Sequence, residues 1–394
     1  MLVYSHDTYG LGHLRRSLLI AGRLASFPGV SSVLIATGSP RAQAFSLPQG
    51  CDTVKLPSVT KATSGRYRAR TLSLPMQDVI RIRSELLKTA FEAFRPDLIL
   101  VDHAPLGMLG ELRPLLEAVD GRRFRVRLAL GLRDVIDEAV RVEDEWSRLE
   151  VWPALESTYD RILVYGDPSV TTTAQELGLP SKLPSKIAHV GYLGRPIPRD
   201  PSPDPMILVT AGGGGDGHDL LRAYAAYLEW LPTPAPFRSV VVTGPLMSRR
   251  RRQELIARFR AVGHPVDVHT FVERLEGLLG EAAGVVSMAG YNAVVEALSA
   301  GTPALLVPRE RPRLEQRIRA ERLAARVPTV DWCSVSDCTP QRISRFVDRI
   351  LANPSGGTPP VALDGVDRAV DQLLDLLETD ERRGVLKEGL RVPA

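Results

Sequence analysis

Four stretches of the 394-residue chain combine histidines, carboxylates or glycine runs in patterns that suit chemistry. The first is Ser5-His6-Asp7-Thr8-Tyr9-Gly10-Leu11-Gly12-His13-Leu14-Arg15-Arg16. Its glycines allow close backbone approach to a ligand, and His13, where a helix would begin, is a candidate general base. The blander reading of His13 is a polar helix cap. A dinucleotide fingerprint needs a third glycine where Arg15 stands, and an acid after the second strand, where Ala36–Pro40 offers none; NAD chemistry is therefore poorly supported. The second stretch is Asp102-His103 at a strand end. Its carboxylate could orient a base or take sugar hydroxyls, or merely cap a helix starting near Pro105. The third, Thr210 to His218, holds four consecutive glycines, Gly212, Gly213, Gly214 and Gly215. No Gly-Lys-Ser/Thr follows, so it is not a P-loop, but its amides could hold a diphosphate; a flexible turn is the alternative. The fourth runs from Ser287 through Ala289, Gly290 and Glu296 to Pro303 and reads as strand, loop and helix, whose N-terminus favours an anion. Glu296 would meet ribose hydroxyls there, or else be a surface carboxylate.

Positioning these groups requires strands that end beside them. Short apolar runs alternate with amphipathic stretches, which predicts parallel sheets flanked by helices. Strands are expected at Leu2–Ser5, Val33–Ala36, Leu98–Val101, Val126–Leu130 and Arg161–Val164, with helices over Arg15–Ser26 and Met76–Phe94. A stretch with prolines at 196, 198, 201, 203 and 205 reads as a linker. A second series follows it. Strands are expected at Met206–Thr210, Ser239–Thr243, Val266–Thr270, Val285–Ser287 and Leu305–Val307, and helices over Leu220–Trp230, Asn292–Ala300, Glu315–Ala325 and Val366–Glu378. The expected fold class is α/β, with two Rossmann-like, doubly wound domains facing across a cleft. Residues 1–194 would form the first domain, 195–205 the linker, 206–352 the second, and 353–394 a loop and helix packing back toward the first. Ser58–Arg70, with Lys61, Arg66, Arg68 and Arg70, reads as a basic loop that could bind an anionic acceptor or simply face solvent. Ser248 opens an arginine-rich helix that would solvate a surface.

Apolar residues make up 44% of the chain and charged residues 24%, which excludes disordered and collagen-like chains. A formal net charge of +4 suits phosphate-bearing ligands but not a coat for nucleic acid. Three cysteines, Cys51, Cys333 and Cys338, exclude a disulfide framework and supply no structural zinc site. No signal peptide or membrane-length apolar run is visible, so the expected place is the cytoplasm, with peripheral contact at the inner membrane face left open.

Gly10-Leu11-Gly12-His13, the Gly212–Gly215 turn and the stretch from Ser287 to Gln316 together resemble GT-B glycosyltransferases of family 28, which include the lipid-II-forming N-acetylglucosaminyltransferase. The N-terminus is also similar to a subgroup of predicted bacterial glycosyltransferases that read YSHDTxGLGHLRRS. The resemblance implies metal-independent, inverting transfer of a sugar from a nucleotide-diphosphate donor, a UDP-sugar, with no cofactor. It implies a donor site of Gly12, Gly212–Gly215, Thr243, Phe271, Val272, Ser287, Ala289, Gly290 and Glu296. Within it, Phe271 and Val272 lie at the nucleobase, and Glu315 and Gln316 at the sugar. Glu315 departs from the family's pair of glutamines there. His13 would be the base, with Asp102 as its catalytic partner, and His103, Arg66 and Arg68 would face the acceptor, whether small molecule, polysaccharide or lipid-linked. A nucleotide-sugar hydrolase and a non-catalytic sensor are the competing readings.

Overall fold

The structure is a computed structural model and describes residues 1–6, 12–61, 67–121, 126–232, 235–272, 274–353 and 356–388. In the first half strands alternate with helices: β1 (Leu2–Ser5), α1 (Gly12–Ala25), β2 (Val33–Thr37), β3 (Cys51–Lys55), β4 (Val59–Lys61), β5 (Tyr67–Ala69), α2 (Met76–Phe94), β6 (Leu98–Asp102), α3 (Arg113–Asp120), β7 (Arg127–Arg133), α4 (Ala139–Arg148), α5 (Val151–Ser157), β8 (Arg161–Tyr165), α6 (Thr173–Glu176), α7 (Leu179–Lys182) and β9 (Ile187–His189). The second half repeats the pattern: β10 (Met206–Thr210), α8 (His218–Trp230), β11 (Arg238–Val242), α9 (Arg249–Ala261), β12 (Val266–His269), α10 (Leu275–Glu281), β13 (Gly284–Ser287), α11 (Tyr291–Ser299), β14 (Ala304–Leu306), α12 (Glu315–Arg326), β15 (Val330–Trp332), α13 (Pro340–Ala352) and α14 (Gly365–Glu388).

Strands such as Leu-Ile-Leu-Val-Asp in β6 are buried at every position, because helices cover both sheet faces. The first sheet has the parallel order β3-β2-β1-β6-β7-β8-β9 and the second the parallel order β12-β11-β10-β13-β14-β15. In each, the connections run outward in both directions from a central pair. That switch point falls between β1 and β6, where Tyr4 stands beside Val101, and between β10 and β13, where Thr210 stands beside Ser287. Crevices at such points, beyond the carboxyl ends of the strands, are where open α/β sheets take ligands.

Helix α2 spans Met76–Phe94 as its periodicity predicts, and closes at Arg95, left-handed at φ 51°, ahead of Pro96. Helix α1 starts at Gly12 rather than Arg15, which moves His13 into its first turn. The basic segment expected as a loop contains the antiparallel hairpin β4–β5 instead. Alternation explains it, since Val59 is buried with Val79 and Met108 while Tyr67 and Ala69 pack beside them.

One apolar cluster runs from Val3 and Leu100 through Tyr192, Leu193 and Tyr291 to Leu208 and Leu373, so both domains share it. The far face of each sheet has its own core, around Phe91 and Leu128 in one and Tyr224 and Phe346 in the other. After β9 the chain crosses between the sheets, pairing Leu193 with Asp364, and α14 returns to pack on α1 and β7.

Candidate active site

His13 follows β1 and Asp102 ends β6, so the switch point brings together two residues 89 positions apart. His13 Nδ1 lies 2.5 Å from Asp102 Oδ2, and Arg16 Nη2 lies 3.3 Å from Asp102 Oδ1. Burial would raise the Asp102 carboxyl, but Arg16 and then His13 outweigh it and hold the group well below the usual carboxylate range. Burial lowers His13 below an ordinary histidine against the pull of Asp102, and Arg16 lowers it further. Arg16 Nη2 lies 2.9 Å from the same Nδ1. With Nδ1–H donated to Asp102, the neutral imidazole presents the lone pair of Nε2, which has no partner among the described residues. Asp102 acts on His13 rather than on its chain neighbour. No helix begins at Pro105; a single 3₁₀ turn spans Met108–Gly110.

Across the cleft the second switch point supplies glycine loops. The cavity between the domains is lined by His13, Gly12 and Arg15 on one side, and by Gly212–Gly215, Met288, Gly290 and Glu296 on the other. Helix α11 begins after Gly290 with no side-chain cap, so its first amides are available to an anion. Asn292 Nδ2 donates to Gly12 O at 3.2 Å, tying the heads of α1 and α11 together. Phe271, 43% exposed, and Val272 stand at the rim beside Leu246 and Leu275, an apolar wall for a flat ring.

Three expected donor residues lie behind the wall. Thr243 is fully buried and its hydroxyl accepts from Arg252 Nε at 3.2 Å. Ser287 donates to Met288 O at 2.9 Å, and Ala289 O accepts from Arg319 Nη1 at 2.9 Å. Each sits where the strand end turns away from the cleft, so Met288 and Gly290 line the cavity in their place.

Glu315 and Gln316 both line it. Glu315 pairs with Arg133, from the end of β7, at 2.6 Å and with Arg309 at 2.7 Å. Burial pushes the Glu315 carboxyl up, but Arg133 and Arg309 overcome this and bring it to about 2. Gln316 Oε1 accepts from Arg309 N at 3.2 Å. Glu296 is raised by burial, which Arg15, 2.8 Å away, and Arg195 only partly offset.

On the acceptor side His103 is left-handed at φ 73°, with its ring centroid 5.3 Å from His13 and its Nε2 3.4 Å from Arg133 Nη2. Arg68 is exposed on the hairpin and does not reach the cavity. Arg66, with Asp7–Leu11 of the first motif, lies outside the described residues. Among the described residues, no group of three or more His, Cys, Asp or Glu side chains is placed to hold a metal ion. Arg15, Arg16, Arg133, Asp134 and Arg319 were not singled out from sequence. Arg133 and Asp134 follow the same strand-end rule as Asp102, but β7 runs three residues past the Leu130 expected to end it.

Two doubly wound domains with facing switch points, glycine loops on one side and a histidine–aspartate pair on the other, define the GT-B class. Within that architecture, residues 206–357 match the model of the Glycosyltransferase family 28 C-terminal domain. The chain is 26% identical over 156 residues to the UDP-N-acetylglucosamine–N-acetylmuramyl-(pentapeptide) pyrophosphoryl-undecaprenol N-acetylglucosamine transferase of Anaplasma marginale, covering 39% of this chain and 41% of that one. It is 23% identical over 198 residues to the enzyme of the same name from Lactiplantibacillus plantarum, covering 49% and 53%. These matches therefore span about half or less of each relative. The crystal structure of Acinetobacter baumannii MurG superposes with a TM-score of 0.58 at 16% identity, over 95% of this chain and 99% of that one, which is a likeness of fold.

Proposed function

We propose that this protein is a glycosyltransferase that moves a sugar from a UDP-sugar to an acceptor hydroxyl, with inversion and without a metal ion. The observation that carries the reading is His13, 2.5 Å from Asp102, across the cleft from the Gly212–Gly215 loop and the uncapped head of α11. His13 Nε2 takes the acceptor's proton as the acceptor oxygen bonds to the anomeric carbon. The bond from that carbon to the phosphate oxygen breaks, and nucleoside diphosphate leaves against the amides of α11 and the glycine loop. A single displacement inverts the anomeric centre. Asp102 is a positioning residue that stabilises the imidazolium formed.

The relatives' names, with UDP-N-acetylglucosamine as donor and an undecaprenol-linked acceptor, support a UDP-sugar and a lipid-linked class of acceptor. Glu315, held ionised, offers hydroxyl groups an acceptor where a glutamine would also offer an N–H. The donor sugar we favour therefore presents hydroxyls there. Free thiols at Cys51, Cys333 and Cys338 fit a reducing cytoplasm, and the exposed Arg249, Arg250 and Arg251 at the head of α9 fit weak contact with an anionic membrane face.

The test is a panel of nucleotide sugars, with and without a bacterial cell extract and with and without chelator. Nucleotide release that needs extract and survives chelation supports the proposal. Release without extract supports hydrolysis, and tight binding without release supports a sensor. His13→Ala should lower turnover by ~10²–10⁴-fold with donor affinity nearly unchanged.

A further inference from the structure

Every arginine on the cavity wall is already paired. Arg16 is held by Asp102, Arg133 and Arg309 by Glu315, and Arg15 by Glu296 at 2.8 Å, whose only ion-pair partner among the described residues it is; the second carboxylate near Arg15, Glu276, is 3.8 Å away and already paired with Arg195. A diphosphate entering this cavity meets a free cation only if one of these carboxylates is satisfied in another way. Ribose hydroxyls can do that for Glu296, since they donate hydrogen bonds and carry no charge. Arg15 is also the easiest to redirect: its side chain is 29% exposed, against 3% for Arg16, 12% for Arg133 and 19% for Arg309. It stands one turn into α1, whose head is bonded to that of α11 through Asn292.

We propose that Arg15 is a phosphate clamp released by ribose. A ribonucleoside diphosphate seats its ribose hydroxyls on Glu296, and the freed guanidinium turns to the diphosphate at the head of α11. The domain that carries the base thereby reads the donor's phosphates, and selects ribonucleoside diphosphates over bare nucleosides. A nucleoside must break the 2.8 Å Arg15–Glu296 pair with no phosphate to offer, leaving the arginine only the longer contact to Glu276, which Arg195 already holds. The inference rests on the donor reading above.

Calorimetry on the full chain with UDP and with uridine tests it. Arg15→Ala should bind UDP about 10–100-fold more weakly, the loss of a charge-assisted hydrogen bond, and should bind uridine as well as or better than wild type. Arg15→Lys, which keeps a charge but not the fork, should recover part of the UDP affinity. Equal losses for both ligands, or no change in either, would overturn the clamp while leaving the donor reading in place. If wild type binds none of UDP, ADP, GDP and CDP, both fall together.

Discussion

Gly290 and Gly214 both belong to the cavity wall, and each lacks a side chain for a different reason. A Cβ on Gly290 would meet nothing within 4 Å, and its backbone, at φ −69°, accepts any residue. The space it leaves is at the head of α11, where a diphosphate would approach. A Cβ on Gly214 would lie 2.4 Å from Thr243 O, and its φ is +88°. The substitutions should therefore separate. Gly290→Ala should melt close to wild type, yet weaken UDP by about 1–3 kcal/mol through overpacking of the ligand. Gly214→Ala should cost about 1–3 kcal/mol of stability before any ligand is added, from left-handed strain and the carbonyl clash. Thermal melts beside titration calorimetry would read both. A Gly290 variant that unfolds, or one that binds UDP normally, would remove this residue from the site.

Strand ends at the first switch point gather three histidines, His6, His13 and His103, with ring centroids 5.3–5.7 Å apart. Burial is the largest cause that depresses all three, with His13 adding to His6, and Arg133 adding to His103. Their neutral forms are thus favoured by folding. The unfolded chain binds protons first as pH falls below the ordinary histidine value, so the contribution to stability is complete above it and is lost toward and through the lowered values. The melting temperature should drop between pH 7 and 5, and less so in His103→Asn, which tolerates the left-handed backbone. An unchanged pH slope in that variant would show that His103 takes up its proton equally in the folded and unfolded chain, so that burial does not hold it neutral. Activity should lose its acid limb below, not above, the ordinary histidine pKa. The strands carrying these residues were legible because fully buried parallel strands read as continuous apolar runs. Strand β3, at Cys51–Lys55, offers no apolar run that fixes its bounds because it is a sheet edge with mixed exposure, and α6 and α7 are too short for periodicity because each has only four residues.

At the scale of the molecule the least legible features are contacts that no local pattern contains. Arg319 reaches from α12 to Asp134, beyond β7, with two hydrogen bonds of 2.7 Å, and also donates to Ala289 O. In sequence Arg319 is one basic residue on an arginine-rich helix, and its partner lies 185 positions away. Both side chains are 1% exposed, so each depends on the other to remain charged in the interior. The chain crossing at Leu193 and the return of α14 also join the domains. Removing one partner of a buried ion pair costs about 3–5 kcal/mol by leaving the other uncompensated. Each sheet keeps a far-side core of its own, so opening of the cleft, which would let water reach Arg319 at the cost of parting the shared cluster around Tyr192 and Tyr291, competes with unfolding as the response. Asp134→Asn should therefore enlarge the radius of gyration measured by small-angle scattering, with the far-ultraviolet dichroism unchanged. Saturating UDP should bring part of the compaction back, since a donor seated in the proposed site would touch both walls. The double variant Asp134→Asn with Arg319→Met, which buries no lone charge, should scatter closer to wild type than the single one. Wild-type dimensions in Asp134→Asn, together with a lower melting temperature, would instead mean that the two domains unfold as one unit and that this ion pair does not set the cleft.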